Sequence, residues 1–292
     1  MGFEIIKHLQ APPNRIYDTL KLFEKLGAIE KEKAYGFLQP DFISKGQQAI
    51  KSTLDILLHF GLAKANPRKK SFILVDTSYL SSYDNFRLKM QQVMLGAKEE
   101  HDDNFLLSQV TAWYAAKNHE VVTMERTEFE RLFHLNLYEG AKARIISERD
   151  SIYAWGLWAS FLGFGKEYNP EIASGRRLIP NAKGRILPLL PHILKPGEVI
   201  PVDEFIERLG DLCPELDGGS LYKKCYQAVH SRSDRDASLS LMLSTALYQL
   251  NAENIISVIN EADAMRKRQM FPSQSYINQL SHICLKKTEA VE

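Results

Sequence analysis

Apolar positions in this 292-residue chain recur mostly three and four residues apart, the spacing of one buried helix face. Ile16, Leu20, Phe23 and Leu26 follow Pro12-Pro13-Asn14, so a first helix is predicted with Asn14 as N-cap and Gly27 as its stop. A shorter helical segment over Glu30–Phe37 ends before Pro40. Ser44 can cap a third helix with an apolar stripe of Ala49, Ile50, Thr53, Leu54, Leu57 and Leu58, closed by Gly61. Leu62-Ala63 and Ser71–Val75 read as two short strands around Asn66-Pro67-Arg68, a turn by composition. Three helices and a hairpin make the plan of a winged helix-turn-helix.

From Tyr83 to about Gly165 the pattern stays helical. Phe86, Met90, Val93 and Met94 mark one helix. Asp103 or Asn104 can cap the next, which buries Phe105, Leu106, Val110, Trp113 and Tyr114. A capping-box pattern at Thr127 starts a helix reaching Phe133, and Ala141–Arg149 and Ile152–Leu162 complete the region. Beyond it, Pro188 and Pro191 interrupt an apolar helical pattern over Ile186–Leu194, and a kink or a broken start is expected because each proline costs about 3 kcal/mol inside a helix. Pro201-Val202-Asp203-Glu204 is a better helix start, with proline and acids in the first turn. A helix near Leu221–His230 leads into the polar loop Ser231–Asp236, where Asp236 can cap a helix carrying Leu239, Met242, Leu243, Ala246, Leu247 and Leu250. Ile255–Ile259 is β-branched and is expected to pair with Met265–Phe271 across Glu261–Ala264. Ile277–Leu285 adds one more strand or a terminal helix.

The two helix-plus-hairpin stretches echo each other. Ser52-Thr53-Leu54 and Arg68-Lys69-Lys70 mark the first, and Ser244-Thr245-Ala246-Leu247 and Arg266-Lys267-Arg268 the second. The expected fold is mainly α with small β-hairpins: a winged-helix domain over residues 1–80, a helical middle over 81–175, and a second winged-helix-like domain over 176–292.

Composition narrows the setting. Hydrophobic residues make up 45% and charged residues 25%, as in soluble globular proteins. The apolar run Ile152–Phe164 is too short and too interrupted to span a bilayer, and no secretory leader pattern is present. Three scattered cysteines, Cys213, Cys225 and Cys284, point to reduced thiols and a cytoplasmic protein. The net charge is only +1, against wholesale nucleic-acid binding. It is uneven, with 12 basic against 8 acidic residues in 1–80, 10 against 14 in 81–175, and 15 against 14 in 176–292.

In a helix-turn-helix protein one helix lies in the major groove. On the first unit, Lys45, Gln47, Gln48, Lys51 and Ser52 are the expected exposed helix positions. Amides and hydroxyls there can bond base edges, while Lys51, Arg68, Lys69 and Lys70 can neutralise phosphates. The bland alternative is a solvated helix and a basic turn, and winged helices also dock proteins. Arg266, Lys267 and Arg268 make a possible second wing, or simply protect a strand edge.

Catalytic and metal-binding patterns are absent. The 8 histidines are scattered, with no His-Glu-x-x-His and no Cys-x-x-Cys. His101-Asp102-Asp103 reads as an exposed loop, Gly163-Phe164-Gly165-Lys166 lacks phosphate-loop spacing, and Glu30-Lys31-Glu32-Lys33 reads as a solvated helix face. Cys213 has no histidine partner in sequence. The aromatic set Trp113, Tyr114, Tyr153, Trp155, Trp158 and Phe161 could stack bases, yet its helical spacing reads as core. No catalytic residue, metal or cofactor is therefore expected.

Pro13-Asn14-Arg15-Ile16, the helix of Gly46–Phe60, Gly61-Leu62 and the hairpin that follows resemble the opening of DpdG-type proteins. Arg185–Phe271 is compatible with the same two-winged-helix layout. Such proteins are accessory components encoded with bacterial systems that place modified 7-deazaguanine bases in DNA and restrict unmodified DNA. The resemblance implies an antiviral-defence or restriction-system setting, with partner subunits supplying nuclease or helicase activity; it carries no functional residue one by one. The expected role is a non-enzymatic DNA-recognition or adaptor subunit. Its partners would be DNA and other subunits of a multi-protein complex, with no membrane and no small-molecule substrate. The rival readings are a protein-interaction scaffold that touches no DNA, and a transcriptional regulator.

Overall fold

The computed structural model describes residues 2–38, 48–66, 68, 70–138, 145–147, 150–168, 177–230, 238–271 and 278–286. Helices dominate, with small antiparallel sheets between them.

Helix α1 (Pro13–Leu26) starts one residue before the expected cap: Pro12 takes the N-cap position and Pro13 opens the helix, so Asn14 lies inside it. Proline suits that position because the first helical N–H groups have no intrahelical partner. Gly27 ends the helix at φ 68°, its N–H bonded to the Phe23 carbonyl. A two-residue strand, β1 (Ile29–Glu30), runs straight into α2 (Lys31–Leu38); α3 (Gln48–His59) then leads to β2 (Ala63–Asn66) and β3 (Ser71–Leu74). The strands order β1-β3-β2, with Phe72 opposite both Ile29 and Ala65. Phe72 is buried and stacks on Phe23 of α1 at 6.3 Å, which ties the sheet to the helices. Ser44 and Pro40 lie outside the described residues.

The middle holds α4 (Tyr83–Met94), α5 (Phe105–Ala116), α6 (Glu120–Thr123), α7 (Arg126–Tyr138) and α8 (Ser151–Phe161). The expected Ala141–Arg149 helix falls largely outside the described residues, and its described part, 145–147, is not helical. Trp113, Tyr114, Trp155, Trp158 and Phe161 are all buried, so these rings are core. Trp155 donates to Thr111 Oγ1 at 3.0 Å and Trp113 to Asn136 Oδ1 at 3.1 Å, satisfying the indole N–H groups that burial would otherwise penalise. A hairpin missing from the sequence expectation follows, β4 (Gly165–Tyr168) with β5 (Arg177–Pro180). Gly163, at φ 88°, packs so close to Gly184 that a side chain there would meet backbone at 2.4 Å.

The prolines break their helix as expected: α9 (Lys183–Ile186), a 3₁₀ turn (Leu187–Leu189) and α10 (Leu190–Ile193) replace one continuous element. Strand β6 (Val199–Pro201) passes directly into α11 (Val202–Leu212), followed by α12 (Ser220–Val229) and α13 (Leu241–Ala252). Ser240 caps α13, its hydroxyl accepting from the Leu243 N–H at 3.1 Å; the expected cap, Asp236, lies outside the described residues, and so does the Ser231–Asp236 loop. The last strands are β7 (Ile256–Ile259), β8 (Arg268–Gln269), β9 (Gln279–Leu280) and β10 (His282–Leu285). Their pairing corrects the expected hairpin. β7 pairs with β10, which also pairs with β6, while β8 pairs with β9. The central position needs an apolar strand, and Ile283 there is fully buried, whereas Met265 is 100% exposed. The sheet order β6-β10-β7 repeats that of β1-β3-β2: first, third, second.

Candidate nucleic-acid interface

Helix α3 is amphipathic. Ile50, Leu54, Ile56 and Leu57 face the core, and Gln48, Lys51, Asp55, Leu58 and His59 form the outward stripe. Ser52, expected on that stripe, is only 5% exposed. Four helical steps turn the chain about 40° beyond a full circle, which carries Ser52 from Gln48 toward the buried side; the Gln48 amide still reaches its hydroxyl at 3.4 Å. Gln48 and Lys51 are thus the two exposed candidates on α3. Asp55 puts a negative charge on the same stripe, which works against phosphate near the helix centre. Lys45 and Gln47 lie outside the described residues.

The turn between β2 and β3 is fixed by backbone chemistry. Asn66 Oδ1 accepts from the Arg68 N–H at 3.1 Å, an Asx turn. Lys70 sits at φ 47°, and its carbonyl accepts from the Lys31 N–H at 2.8 Å. That bond brings the start of α2 against the turn and adds Lys31 to its basic end, a neighbour invisible in the sequence spacing. Arg68 and Lys70 are exposed and, among the described residues, their side chains form no ion pair or hydrogen bond. Lys69 lies outside the described residues. Further along α2, Lys33 faces Glu30 at 3.6 Å with both side chains well exposed, the solvated face expected of that run.

The second basic cluster has a different fate. Arg268 Nε meets Asp203 Oδ1 at 2.7 Å and Arg266 meets Asp203 Oδ2 at 3.3 Å, while Lys267 donates to the Ala262 carbonyl at 3.1 Å. Asp203 lies in the first turn of α11, so the cluster straps the β7–β10 connection to that helix. Nor does α13 expose a polar face like that of α3. Ser240 and Ser244 are both 0% exposed, and the Ser244 hydroxyl accepts from the Phe271 N–H at 3.1 Å. Thr245 donates to the Pro180 carbonyl at 2.8 Å, beside the Asn181–Gln249 side-chain bond at 2.9 Å. Gln249 is exposed, and Ser238 is half-buried ahead of the helix.

The first unit is held on the middle helices by its leading segment. Phe3 N–H donates to Asp103 Oδ1 at 2.7 Å, and Ile5 N–H to Asn104 Oδ1 at 3.0 Å. Glu4 Oε1 accepts from the Leu106 N–H at 2.9 Å, so the cap of α5 comes from the far end of the chain rather than from Asn104 itself. Burial raises the Glu4 carboxyl from 4.5 to about 7. His59, at the end of α3, bonds Asp103 at 2.6 Å and stacks on Phe3 at 4.2 Å; His8 stacks on the same ring at 4.8 Å. His101-Asp102-Asp103 is therefore part of a clasp, with Asp102 accepting from the Lys98 and Glu99 N–H groups. Among the described residues, no group of three or more His, Cys, Asp and Glu side chains could hold a metal ion. Cys213 and Cys225 are buried, and burial pushes the Cys225 thiol up to about 12, a poor state for a nucleophile. No described helix is long and apolar enough to cross a membrane.

A family model described as DpdG-like matches residues 3–264. No curated protein and no solved structure matches the chain.

Proposed function

Because the chain belongs to the DpdG-like family, which suggests association with DNA-modification clusters, we propose that it is a non-enzymatic DNA-recognition or adaptor subunit of such a restriction or antiviral-defence system. We read the N-terminal unit as a winged helix: helix, strand, helix, helix and hairpin, with strands ordered first, third, second. The observation that carries the reading is the contrast between two basic clusters. Arg68 and Lys70 stand exposed and unpaired among the described residues, whereas Arg266 and Arg268 are committed to Asp203. Gln48 would meet base edges, and Lys51, Arg68, Lys69 and Lys70 would lie on phosphates.

A second reading, a scaffold whose units dock partner subunits, is favoured in the C-terminal unit by its strapped cations and closed-in α13. The two readings separate by salt. Four phosphate contacts give a log–log slope of affinity against salt of roughly −3 to −4. Duplex DNA titrated into the full chain at several salt concentrations tests this; an absence of DNA binding at low salt favours the scaffold.

A further inference from the structure

A cavity of about 280 Å³ opens between α11, α12 and the strap that carries Arg268; Tyr222, Lys223, Tyr226, Gln227, Leu239 and Arg268 are among its walls. Its size is near the lower end for small-ligand pockets. Tyr222 and Tyr226 sit one helical turn apart, their ring centroids 5.8 Å apart, and His230 continues the row 4.4 Å beyond Tyr226. Lys223 and Gln227 are exposed on the same helix at the rim. Among the described residues Lys223 forms no ion pair. Arg268, across the opening, is fixed by Asp203 at 2.7 Å.

The fully buried Asp217 also borders the cavity, but both of its oxygens are in use. They accept from the Ser240 N–H at 2.7 Å and the Ser240 hydroxyl at 2.6 Å, which anchors the start of α13. The chemistry left for a ligand is an aromatic wall, an apolar side at Leu239, a neutral amide and the Lys223 ammonium at the mouth.

We propose that this cavity is a mononucleotide pocket. The base lies along Tyr226 and Tyr222, its edge meets the Gln227 amide, and the phosphate lies against Lys223 at the mouth. Aromatic faces beside a basic group are a combination that holds an unpaired nucleotide whatever its base. A nucleotide of either origin, free in solution or unpaired within a single strand, presents this chemistry. The inference stands apart from the N-terminal reading, because the two sites share no residue.

Calorimetric titration of the full chain with 2′-deoxyadenosine 5′-monophosphate and with a ten-nucleotide oligothymidylate tests the pocket. At least one probe should bind, and Tyr226→Ala and Lys223→Glu should each weaken it about tenfold. Lys223 is exposed, so K223E keeps the test valid if Y226A fails to fold. Binding of the mononucleotide, in competition with the oligonucleotide, identifies a free nucleotide as the ligand; binding of the oligonucleotide alone identifies a strand. The triple variant R68A/K69A/K70A should bind the mononucleotide as the wild type does. Failure of both probes to bind, or wild-type affinity in K223E, overturns the proposal.

Discussion

Helices α3 and α13 carry nearly the same local sequence, Ser52-Thr53-Leu54 and Ser244-Thr245-Ala246-Leu247, and each leads into a strand at the edge of a sheet ordered first, third, second. What surrounds them differs. α3 keeps an outward stripe from Gln48 to His59, while α13 is closed in by β5 on one side and by the backbone of Phe271 on the other. The basic clusters diverge in the same way, the first facing water and the second strapped to Asp203. The units also join the middle helices differently: the first through the polar clasp of Glu4, Asp103 and Asn104 at the start of α5, the second through α12 packed along α5. A repeated pattern thus fixes the path of the chain, and later packing decides which face stays free.

The largest effect should come from putting a charge on each helix. Ser244→Lys should cost about 3 kcal/mol or more of unfolding free energy, because the ammonium has neither water nor a partner. Gln48→Lys should stay within about 0.5 kcal/mol. Urea unfolding measures both, and a near-wild-type S244K would mean that α13 is as open as α3. Next is the clasp. The raised Glu4 carboxyl binds a proton in the folded state between pH 4.5 and about 7, where the unfolded chain has released it. The penalty for burying the charge is absent below this range and complete above it. Glu4→Gln should therefore gain on the order of 2–3 kcal/mol over wild type between pH 5 and pH 8. His8, whose pKa burial lowers, drives stability the opposite way, so the difference between the two proteins is the quantity to follow. A constant difference across that range would contradict the buried state of Glu4.

Smaller still is the strap. Asp203→Asn should lower stability by about 1 kcal/mol, the scale of a partly exposed ion-pair cluster; an unchanged melting temperature would remove the contrast between the clusters. Smallest is the stability change in R68A/K70A, expected within about 0.5 kcal/mol, since among the described residues those side chains form no ion pair or hydrogen bond.

Much of this path was legible beforehand. The helical periodicities of α1, α3 and α4, the Gly27 stop and the proline-broken α9–α10 segment follow from local rules that the neighbours do not override. The β7–β10 pairing was not legible, because it joins strands across an excursion holding a second pair, and Met265–Phe271 looked like the nearer partner. Nor was the burial of Ser52 and Ser244, since small polar residues suit either side of a helix and only the packed neighbours decide. Local spacing offers Asp103 or Asn104 as the α5 cap, whereas Glu4 supplies it from outside the segment. In the candidate interface the charges of Arg68–Lys70 were visible from composition. The closeness of Lys31 and the commitment of Arg268 to Asp203 depend on contacts distant in sequence.

The central claim is that the first cluster meets duplex DNA and the second does not. The direct test is the salt dependence of duplex-DNA affinity for the wild type, R68A/K69A/K70A and R266A/K267A/R268A. The account predicts a wild-type slope of roughly −3 to −4, flattened by about 3 in the first variant and unchanged in the second. A slope lost in the second variant and kept in the first would contradict it.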